Sequence, residues 1–577
     1  MLLPIVLCAV LCAAVAAWLL YKYAEKNHCH WYVWCAALLS WYLPMASVFL
    51  MPFDLSSSLY RNCKQEPCDE PTGYLDKNQT LFLWRTLYWV MFLLTWVILP
   101  TMISYVDSGA FTVRSRLRES VVRTIRYHGI MIAVVMAVVF YLAFVKKMYG
   151  QALTAFLMSA ANFWGLLLVV VFMGCGLVAI PRQLWHLSDI NYKLRSLSTE
   201  LNRLRNKLED AQFELEDALK TARSVASRVA DNDALRPYAQ IILREFPPSR
   251  VNLNLGMSTF DADSPADVSE HHLIKLHNRV KGAVRDERKY RWKVRKTLEA
   301  AIFYQDLVDS RKSPDKLLES SLHPYSSWNT PRRRLGWWWY IRMRPAIYKS
   351  LALCAAAASV VILWSELVFT VSTVRLSLVH GILFLPRFSN FTVEILTFFL
   401  LAYMSVCAYS SVMKMKLFRL YSLVWDHHTN ERSLLFGGAY LCRLMIPLCY
   451  NFVKMADTDD DSPTVFVEFM FKTEAIAVVG SSAYSWMPAL ILLPATLTLL
   501  KAHTRIMNWL VTDLDGDSAD DDSPAAGGSG GRSSINNTNV NDLEEGGNRD
   551  LVSAARRLAK SKGKMWTRHL GQIGLYL

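Results

Sequence analysis

The sequence predicts an all-α, polytopic membrane protein with about nine transmembrane helices and a cytoplasmic antiparallel coiled-coil hairpin. Three observations carry that expectation. The 577 residues are 53% hydrophobic but only 19% charged, against about 25% charged in a soluble domain. The apolar residues are gathered into uncharged runs close to the ~20 residues a helix needs to cross a bilayer. One charged stretch between two such runs carries a leucine repeat that alternates by three and four. The first two exclude a single soluble globular domain. The cysteines are scattered through apolar runs, which excludes a disulfide-rich extracellular module.

The apolar runs, in order, are Leu2–Leu20, Trp31–Pro52, Phe82–Tyr105, Tyr127–Val145, Ala155–Ile180, Ala346–Thr370, Phe391–Val412, Leu434–Val453 and about Tyr484–Leu500, the last interrupted by Pro488 and Pro494. Helices are the expected form, because each unpaired backbone group in hydrocarbon costs several kcal/mol. Spans one to five occupy 1–180, an insert occupies 181–345, spans six to nine occupy 346–501, and a tail occupies 502–577.

Short loops rich in Lys and Arg stay in the cytoplasm. The loop after span three carries Arg114, Arg116, Arg118, Arg123 and Arg126, and the loop after span seven carries Lys414, Lys416, Arg419 and Arg432. The loops after spans two and eight are acidic, with Asp54, Glu66, Asp69, Glu70 and Asp76 in one and Asp457, Asp459, Asp460 and Asp461 in the other. This pattern places the N-terminus outside the cytoplasm and the C-terminus inside. Lys146 and Lys147 run against it. The sequon Asn78-Gln79-Thr80 falls in a loop placed outside, which marks Asn78 for glycosylation. Cys63 and Cys68 share that loop and could form a short disulfide; the alternative is two free thiols. A second sequon, Asn390-Phe391-Thr392, lies too close to span seven to be a good acceptor. The first span could be a signal peptide cleaved near Ala13–Ala17, but no basic segment precedes it, which favours a retained span. The net charge of +14 follows from the cytoplasmic bias and calls for no nucleic acid.

The insert opens with Leu187, Ile190, Leu194, Leu197, Leu201, Leu204, Leu208, Ala211, Leu215, Ala218, Ala222, Val225 and Val229. Over about six heptads this is a coiled-coil seam. Its expected partner is Leu273–Val308, with Leu276, Val280, Ala283, Val294, Leu298 and Ala301 on one face and Glu287 and Arg291 interrupting it. Pro247, Pro248, Gly256 and Ser264-Pro265 break the chain between them. An antiparallel hairpin is favoured over a parallel homodimer, because closing a loop within one chain costs little entropy. Arg332-Arg333-Arg334 followed by Trp337-Trp338-Trp339-Tyr340 returns the insert to the membrane interface.

Several segments carry a likeness. They are Trp41-Tyr42-Leu43 through Pro52, Asp54, Ser56, Tyr60 and Cys63; Trp84-Arg85 through Tyr88-Trp89; Thr95-Trp96 with Leu99-Pro100; and Ser104-Tyr105 with Ser108-Gly109. Further along come Asn162, Trp164-Gly165-Leu166, Gly176-Leu177-Val178, Ile180-Pro181-Arg182 and Trp364-Ser365-Glu366. The most specific block is Ser433-Leu434-Leu435-Phe436 with Cys442-Arg443-Leu444, Pro447-Leu448-Cys449 and Asn451-Phe452. From about residue 1 to 510 the chain resembles the LIMR family, the limb-region-like and lipocalin-receptor-like multi-pass membrane proteins, and among them the LMBR domain-containing proteins of type two. The breaker segment and the tail depart from the family. The resemblance implies nine spans, an outside N-terminus and a large cytoplasmic loop. It also implies roles as diverse as lipocalin uptake, lysosomal cobalamin export and modulation of heptahelical receptors, with no catalytic residues.

Ionisable residues inside the membrane are functional candidates, since they are expensive there. Glu366 falls near the middle of span six, Glu394 near the outer end of span seven and Arg443 in the middle of span eight. A Glu366–Arg443 pair would neutralise both; a ligand or ion pathway is the alternative. Asn162 and Asn451 read as interhelical hydrogen-bond donors, and Gly165, Gly174 and Gly176 as close helix contacts. His427-His428 point about 100° apart on a helix, poor geometry for one metal, so no metal and no cofactor are expected. Cys29 is a candidate for palmitoylation. Residues 513–548 are expected to be disordered, and 551–577, with Arg556, Arg557, Lys560, Lys562, Lys564, Met565, Trp566 and Arg568, either adsorb to an anionic leaflet or form a loose basic tail.

No Walker loop, G-x-G-x-x-G, H-E-x-x-H or G-x-S-x-G is present, and no enzyme activity is expected. The sequence therefore points to a multi-pass receptor or signalling and trafficking adaptor in the plasma membrane or an endolysosomal membrane. Its expected partners are membrane lipids, cytoplasmic proteins through residues 187–308 and an extracellular or lumenal ligand. A transporter, or transport cofactor, for a small molecule or lipocalin-type ligand is the alternative.

Overall fold

Long apolar runs that satisfy their own backbone must coil into helices, and in the computed structural model they do. It describes residues 2–25, 29–61, 71–145, 151–229, 233–246, 269–322, 330–368, 377–383, 389–414, 423, 427–456, 464–471 and 488–500. The helices are α1 (Leu2–Tyr23), α2 (Trp31–Arg61), α3 (Lys77–Leu93), a π turn (Leu94–Ile98), α4 (Leu99–Val106), α5 (Val113–Phe144), α6 (Gln151–Leu187), α7 (Ile190–Arg228), α8 (Arg236–Arg244) and α9 (Glu270–Lys312). They continue with α10 (Thr330–Trp337), a second π turn (Trp338–Met343), α11 (Arg344–Val368), α12 (Leu378–Leu383), α13 (Asn390–Lys414), α14 (Glu431–Ala456) and α15 (Val465–Phe471). A 3₁₀ turn (Pro488–Ile491) and α16 (Leu492–Leu499) complete the set. Among the described residues the only strand-like feature is one parallel bridge between Ala24 and Thr429.

Among the described residues eight helices are long and apolar enough to cross a membrane: Leu3–Tyr23, Trp31–Arg61, Lys77–Val106, Val113–Tyr141, Trp164–Leu187, Thr330–Val368, Asn390–Met413 and Glu431–Ala456. The expected ninth span falls partly outside the described residues; its latter part is the 3₁₀ turn and α16. Two boundaries move. Helix α5 begins at Val113, so the arginines from Arg114 to Arg126 lie on the helix and not in a loop. Helix α2 runs on through Pro52 to Arg61, so Asp54, read as a loop acid, is inside a helix.

The described chain divides into two units. The first comprises Met1–Ser108, Leu117–Arg182 and Leu353–Asp515. Its main apolar cluster draws on α2, α3, α4, α6, α11, α13 and α14, with Trp84, Met51, Leu99, Met173 and Phe452 fully buried, and a smaller one joins α1, α2 and α14 through Ala16, Leu20, Trp41 and Leu434. Small residues let the helices approach. A Cβ on Gly176 would run into the Cys407 carbonyl, one on Gly165 would lie 2.6 Å from Pro447 Cγ, and one on Gly174 would lie 2.8 Å from the Ile491 carbonyl oxygen. The end of α1 is tied down by backbone bonds from His427 N to Lys22 O (3.1 Å), Thr429 N to Tyr23 O (3.0 Å) and Glu25 N to Thr429 O (3.2 Å).

The second unit comprises Gly109–Arg116 and Gln183–Ala352. Here α7 and α9 pack side by side along their length. Leu215, Ala218, Leu219, Ala222 and Val225 meet Leu273, Leu276, Val280, Ala283 and Val284. Leu197 meets Leu298, Ala301 and Ile302, and Ile190 meets Leu307. Later positions on one helix face earlier positions on the other, so the pair is antiparallel. Leu201, Leu204, Leu208 and Leu215 are buried along this seam and Leu194 is half-buried. The repeat is not continuous from Leu187, however. Leu187 ends α6, and Asp189 starts a new helix by accepting the Asn191 N–H (3.0 Å), a side-chain cap that satisfies an otherwise orphaned donor. The expected interruption at Glu287 and Arg291 is an ion pair one turn apart, with Glu287 buried and Arg291 half-exposed. Ile242 and Phe246 close the end of the seam near Leu273.

The loop Gly109–Arg116 belongs to this unit through His277. Its Nδ1–H donates to the Gly109 carbonyl (2.7 Å), and Phe111 stacks between Tyr238 (4.4 Å) and His277 (5.0 Å). A side chain on Gly109 would strike the Ile274 carbonyl, which gives the Ser108-Gly109 motif a steric reason.

Candidate functional site

Charge inside the first unit is concentrated on a few side chains, and each has a different kind of partner. Asp54 is completely buried on α2. Its carboxylate accepts the Trp84 indole N–H (3.0 Å) and the backbone N–H groups of Val465 (3.1 Å) and Phe466 (2.9 Å), with the Arg61 guanidinium 3.9 Å away. It therefore caps α15 from another helix. Thr80 Oγ1 bonds back to the Asp76 carbonyl (3.0 Å), and Asp76 caps α3; this holds Trp84 at the depth of Asp54.

Glu394, in the first turns of α13, is also buried. It accepts from Ser56 Oγ (2.8 Å) and from the hydroxyl and backbone N–H of Thr72. Glu366 is buried in the last turn of α11, not at its middle, and takes the side-chain amide of Asn451 on α14. Around it Ser365 Oγ accepts the Val379 N–H (3.1 Å), Ser377 Oγ donates to the Met455 carbonyl (2.8 Å), and His380 Nδ1–H donates to the Ala456 carbonyl (2.9 Å). The carboxylates sit where backbone and hydroxyl donors are plentiful, at helix ends, which is how a buried acid is made tolerable.

Arg443 does not meet Glu366. It lies at the centre of α14, with its guanidinium 5.2 Å from the Trp96 ring and 5.5 Å from the Tyr440 ring. Its Nε is buried without a hydrogen-bond partner. Trp96 lies in the π turn Leu94–Ile98. The expected pairing fails because the two groups lie at different levels: Glu366, in the last turn of α11, takes the Asn451 amide, and Arg443, at the centre of α14, faces two rings.

The remaining expected residues are placed as follows. Asn162 is in α6. Asn78 is exposed in the first turn of α3. Cys63, Cys68 and the tail 502–577 lie outside the described residues. Cys29 sits between α1 and α2 beside Glu431; burial pushes its thiol up to about 12, and Glu431 and Glu25 add to that, which works against acylation through a thiolate. His427 packs edge-on against Tyr21 (5.2 Å). No cluster of metal-binding side chains occurs among the described residues. The sequence reading missed Asp54 and Trp84 as a linked pair. The signal was available: an acid two residues after Pro52 in an otherwise apolar stretch followed by Ser56, Ser57 and Ser58, all of them buried.

Membrane-length helices around a core with internally satisfied acids define a multi-pass helical membrane protein. The chain belongs to the LMBR1-like membrane protein family, whose profile matches residues 1–503. Over 539 residues it is 29% identical to the G-protein coupled receptor-associated protein LMBRD2 of Gallus gallus, covering 86% of this chain and 78% of that one. The human protein of the same name is 28% identical over 544 residues, with 86% and 78% covered. The LMBR1 domain-containing protein 2 homolog A of Dictyostelium discoideum is 27% identical over 535 residues, with 85% and 72% covered. No solved structure matches the chain.

Proposed function

We propose that this protein is a non-catalytic, receptor-associated membrane adaptor. Its helical bundle anchors an antiparallel coiled coil, formed by Ile190–Arg228 and Glu270–Lys312, that recruits cytoplasmic signalling or trafficking proteins. The N-terminus lies outside the cytoplasm and the C-terminus inside, in the plasma membrane or an endolysosomal membrane. The observation that carries the reading is the α7–α9 pair. Its seam is filled from within the chain, so it needs no second copy, and its outer surface is left charged and open for a partner. The names of the avian and human relatives, G-protein coupled receptor-associated proteins, support the same direction.

The test is proximity labelling in native membranes, comparing the full chain with one lacking residues 187–308. The adaptor reading expects the deletion to lose a defined set of receptor and endocytic neighbours while the protein still reaches its membrane. Unchanged neighbours would leave the helix pair as internal bracing and reject the reading. Orientation is checked separately by glycosidase treatment: a mass shift lost in Asn78→Gln puts residue 78 on the lumenal or extracellular side.

A further inference from the structure

Arg443 is the one charged residue between Arg432 and Lys454 on α14. A guanidinium at that depth is tolerated when something answers both its charge and its five N–H bonds. The Trp96 and Tyr440 rings answer the charge through their faces. They accept none of the N–H bonds in the guanidinium plane. Among the described residues no carboxylate pairs with Arg443, and Nε is sealed from solvent with no acceptor. Two further buried polar atoms near the same ring are also unanswered. His128, 6.5 Å from Trp96, has no partner for Nε2, and Thr124, one turn earlier on α5, has none for Oγ1.

From Trp96 a file of rings runs back along the same helical segment. Phe92 is 6.2 Å from Trp96, Trp89 is 5.8 Å from Phe92, and Tyr88 stacks on Phe92 at 6.4 Å. Trp89 is 54% and Phe92 43% exposed, so the file forms part of the surface of the unit. Seven residues of helix from Trp89 to Trp96 cover about 10 Å. The result is an exposed apolar surface, with Leu93 and Val97 beside the rings, that ends at a guanidinium with no acidic partner among the described residues.

We propose that this surface is a binding site for an anionic lipid. The lipid's terminal oxyanion, a carboxylate or a phosphate monoester, accepts from the Arg443 guanidinium, and its acyl chain lies along Trp96, Phe92 and Trp89. Charge decides the occupant: the apolar surface ends at a guanidinium whose Nε has no acceptor, and an anionic lipid brings an oxyanion and an apolar chain together in one molecule. The proposal stands apart from the adaptor reading, since it concerns the bundle and needs no cytoplasmic partner.

The test uses the full chain in non-ionic detergent and native mass spectrometry. Oleate and oleyl phosphate are expected to be retained about tenfold better than oleyl alcohol, the size of effect a charge-assisted hydrogen bond produces. Acetate and inorganic phosphate at the same concentration are expected not to displace oleate. In Arg443→Gln the preference for the acid over the alcohol should fall to about one, and in Arg443→Lys a part of it should survive. The unaltered chain provides a readout that no folding defect can imitate: a diazirine-bearing oleate should place its adducts on peptides covering residues 88–97 and 436–447. Equal retention of oleate and oleyl alcohol, adducts spread evenly over the membrane helices, or displacement of oleate by the short anions would each overturn the proposal, the last by showing a free-anion site.

Discussion

The membrane bundle and the α7–α9 pair handle charge in opposite ways. In the pair, cations and anions answer each other across or along the helices. Arg279 reaches both Glu214 (2.8 Å) and Asp217 (2.6 Å) on the facing helix, and Arg205–Glu209 (3.2 Å) and Arg295–Glu299 (3.1 Å) lie one turn apart. In the bundle the buried acids take their hydrogen bonds from neutral donors, with Arg61 standing 3.9 Å from Asp54, and the central cation faces rings. Water explains the difference. A half-exposed pair keeps much of its hydration and contributes about 0–1 kcal/mol, so errors of geometry cost little. A group sealed in an apolar core must have its partners built in, and loss of any one leaves an orphan.

That contrast is sharpest at Asp54. Asp54→Ala should leave the Val465 and Phe466 N–H groups and the Trp84 indole without an acceptor and cost about 3 kcal/mol or more, read as early loss of the monodisperse peak in a thermal ramp followed by size exclusion. Asp54→Asn keeps an acceptor oxygen and should cost less. A result for Asp54→Ala within the scatter of surface variants would break the comparison.

Next in size is Gly176→Val, which places branched carbon against the Cys407 carbonyl; overpacking of this kind costs about 1–3 kcal/mol and is checked in the same ramp. In the helix pair the effects should be smaller. Glu287→Ala removes the buried partner of Arg291, but that arginine is half-exposed and can rehydrate, so about 1 kcal/mol is expected, measured by hydrogen exchange over residues 273–298. The smallest effect is a pH slope. Burial, reinforced by Lys289, lowers Lys293 to about 8, below the ~10.4 of a free lysine. Between those values the unfolded state holds the proton and the folded state does not, so stability from this group rises with pH across about 8 to 10.4 and is absent below. Lys293→Met should therefore be most stabilising near pH 7, and its advantage should shrink as the pH is raised toward 10.

The sequence foretold the helices, the partner of the leucine seam and the close contacts at Gly165 and Gly176, because each rests on a local pattern: run length, heptad spacing, small residues. It did not foretell who answers Glu366 and Arg443. Opposite charges on neighbouring spans suggest a pair, but the match depends on depth, and Glu366 sits in the last turn of its helix while Arg443 sits at the centre of its own. Asp54 was hidden for a related reason. Pro52 and an acid two residues later resemble the end of a span, yet the helix continues to Arg61, with the Asp54 carboxylate taken by Trp84 and by the first N–H groups of α15.

The π turns at Leu94–Ile98 and Trp338–Met343 each carry one residue beyond an α turn, so everything after them is rotated by about 100°. Such a turn behaves as a one-residue ratchet. Removing a single residue from Leu94–Ile98 would swing Trp96 away from Arg443 and re-aim α4 while leaving α3 where it is, a change that no point substitution achieves. Among relatives, differences in length of one residue should gather at these two places, and the side chains that follow should change together, since one deletion re-addresses a whole helix face at once.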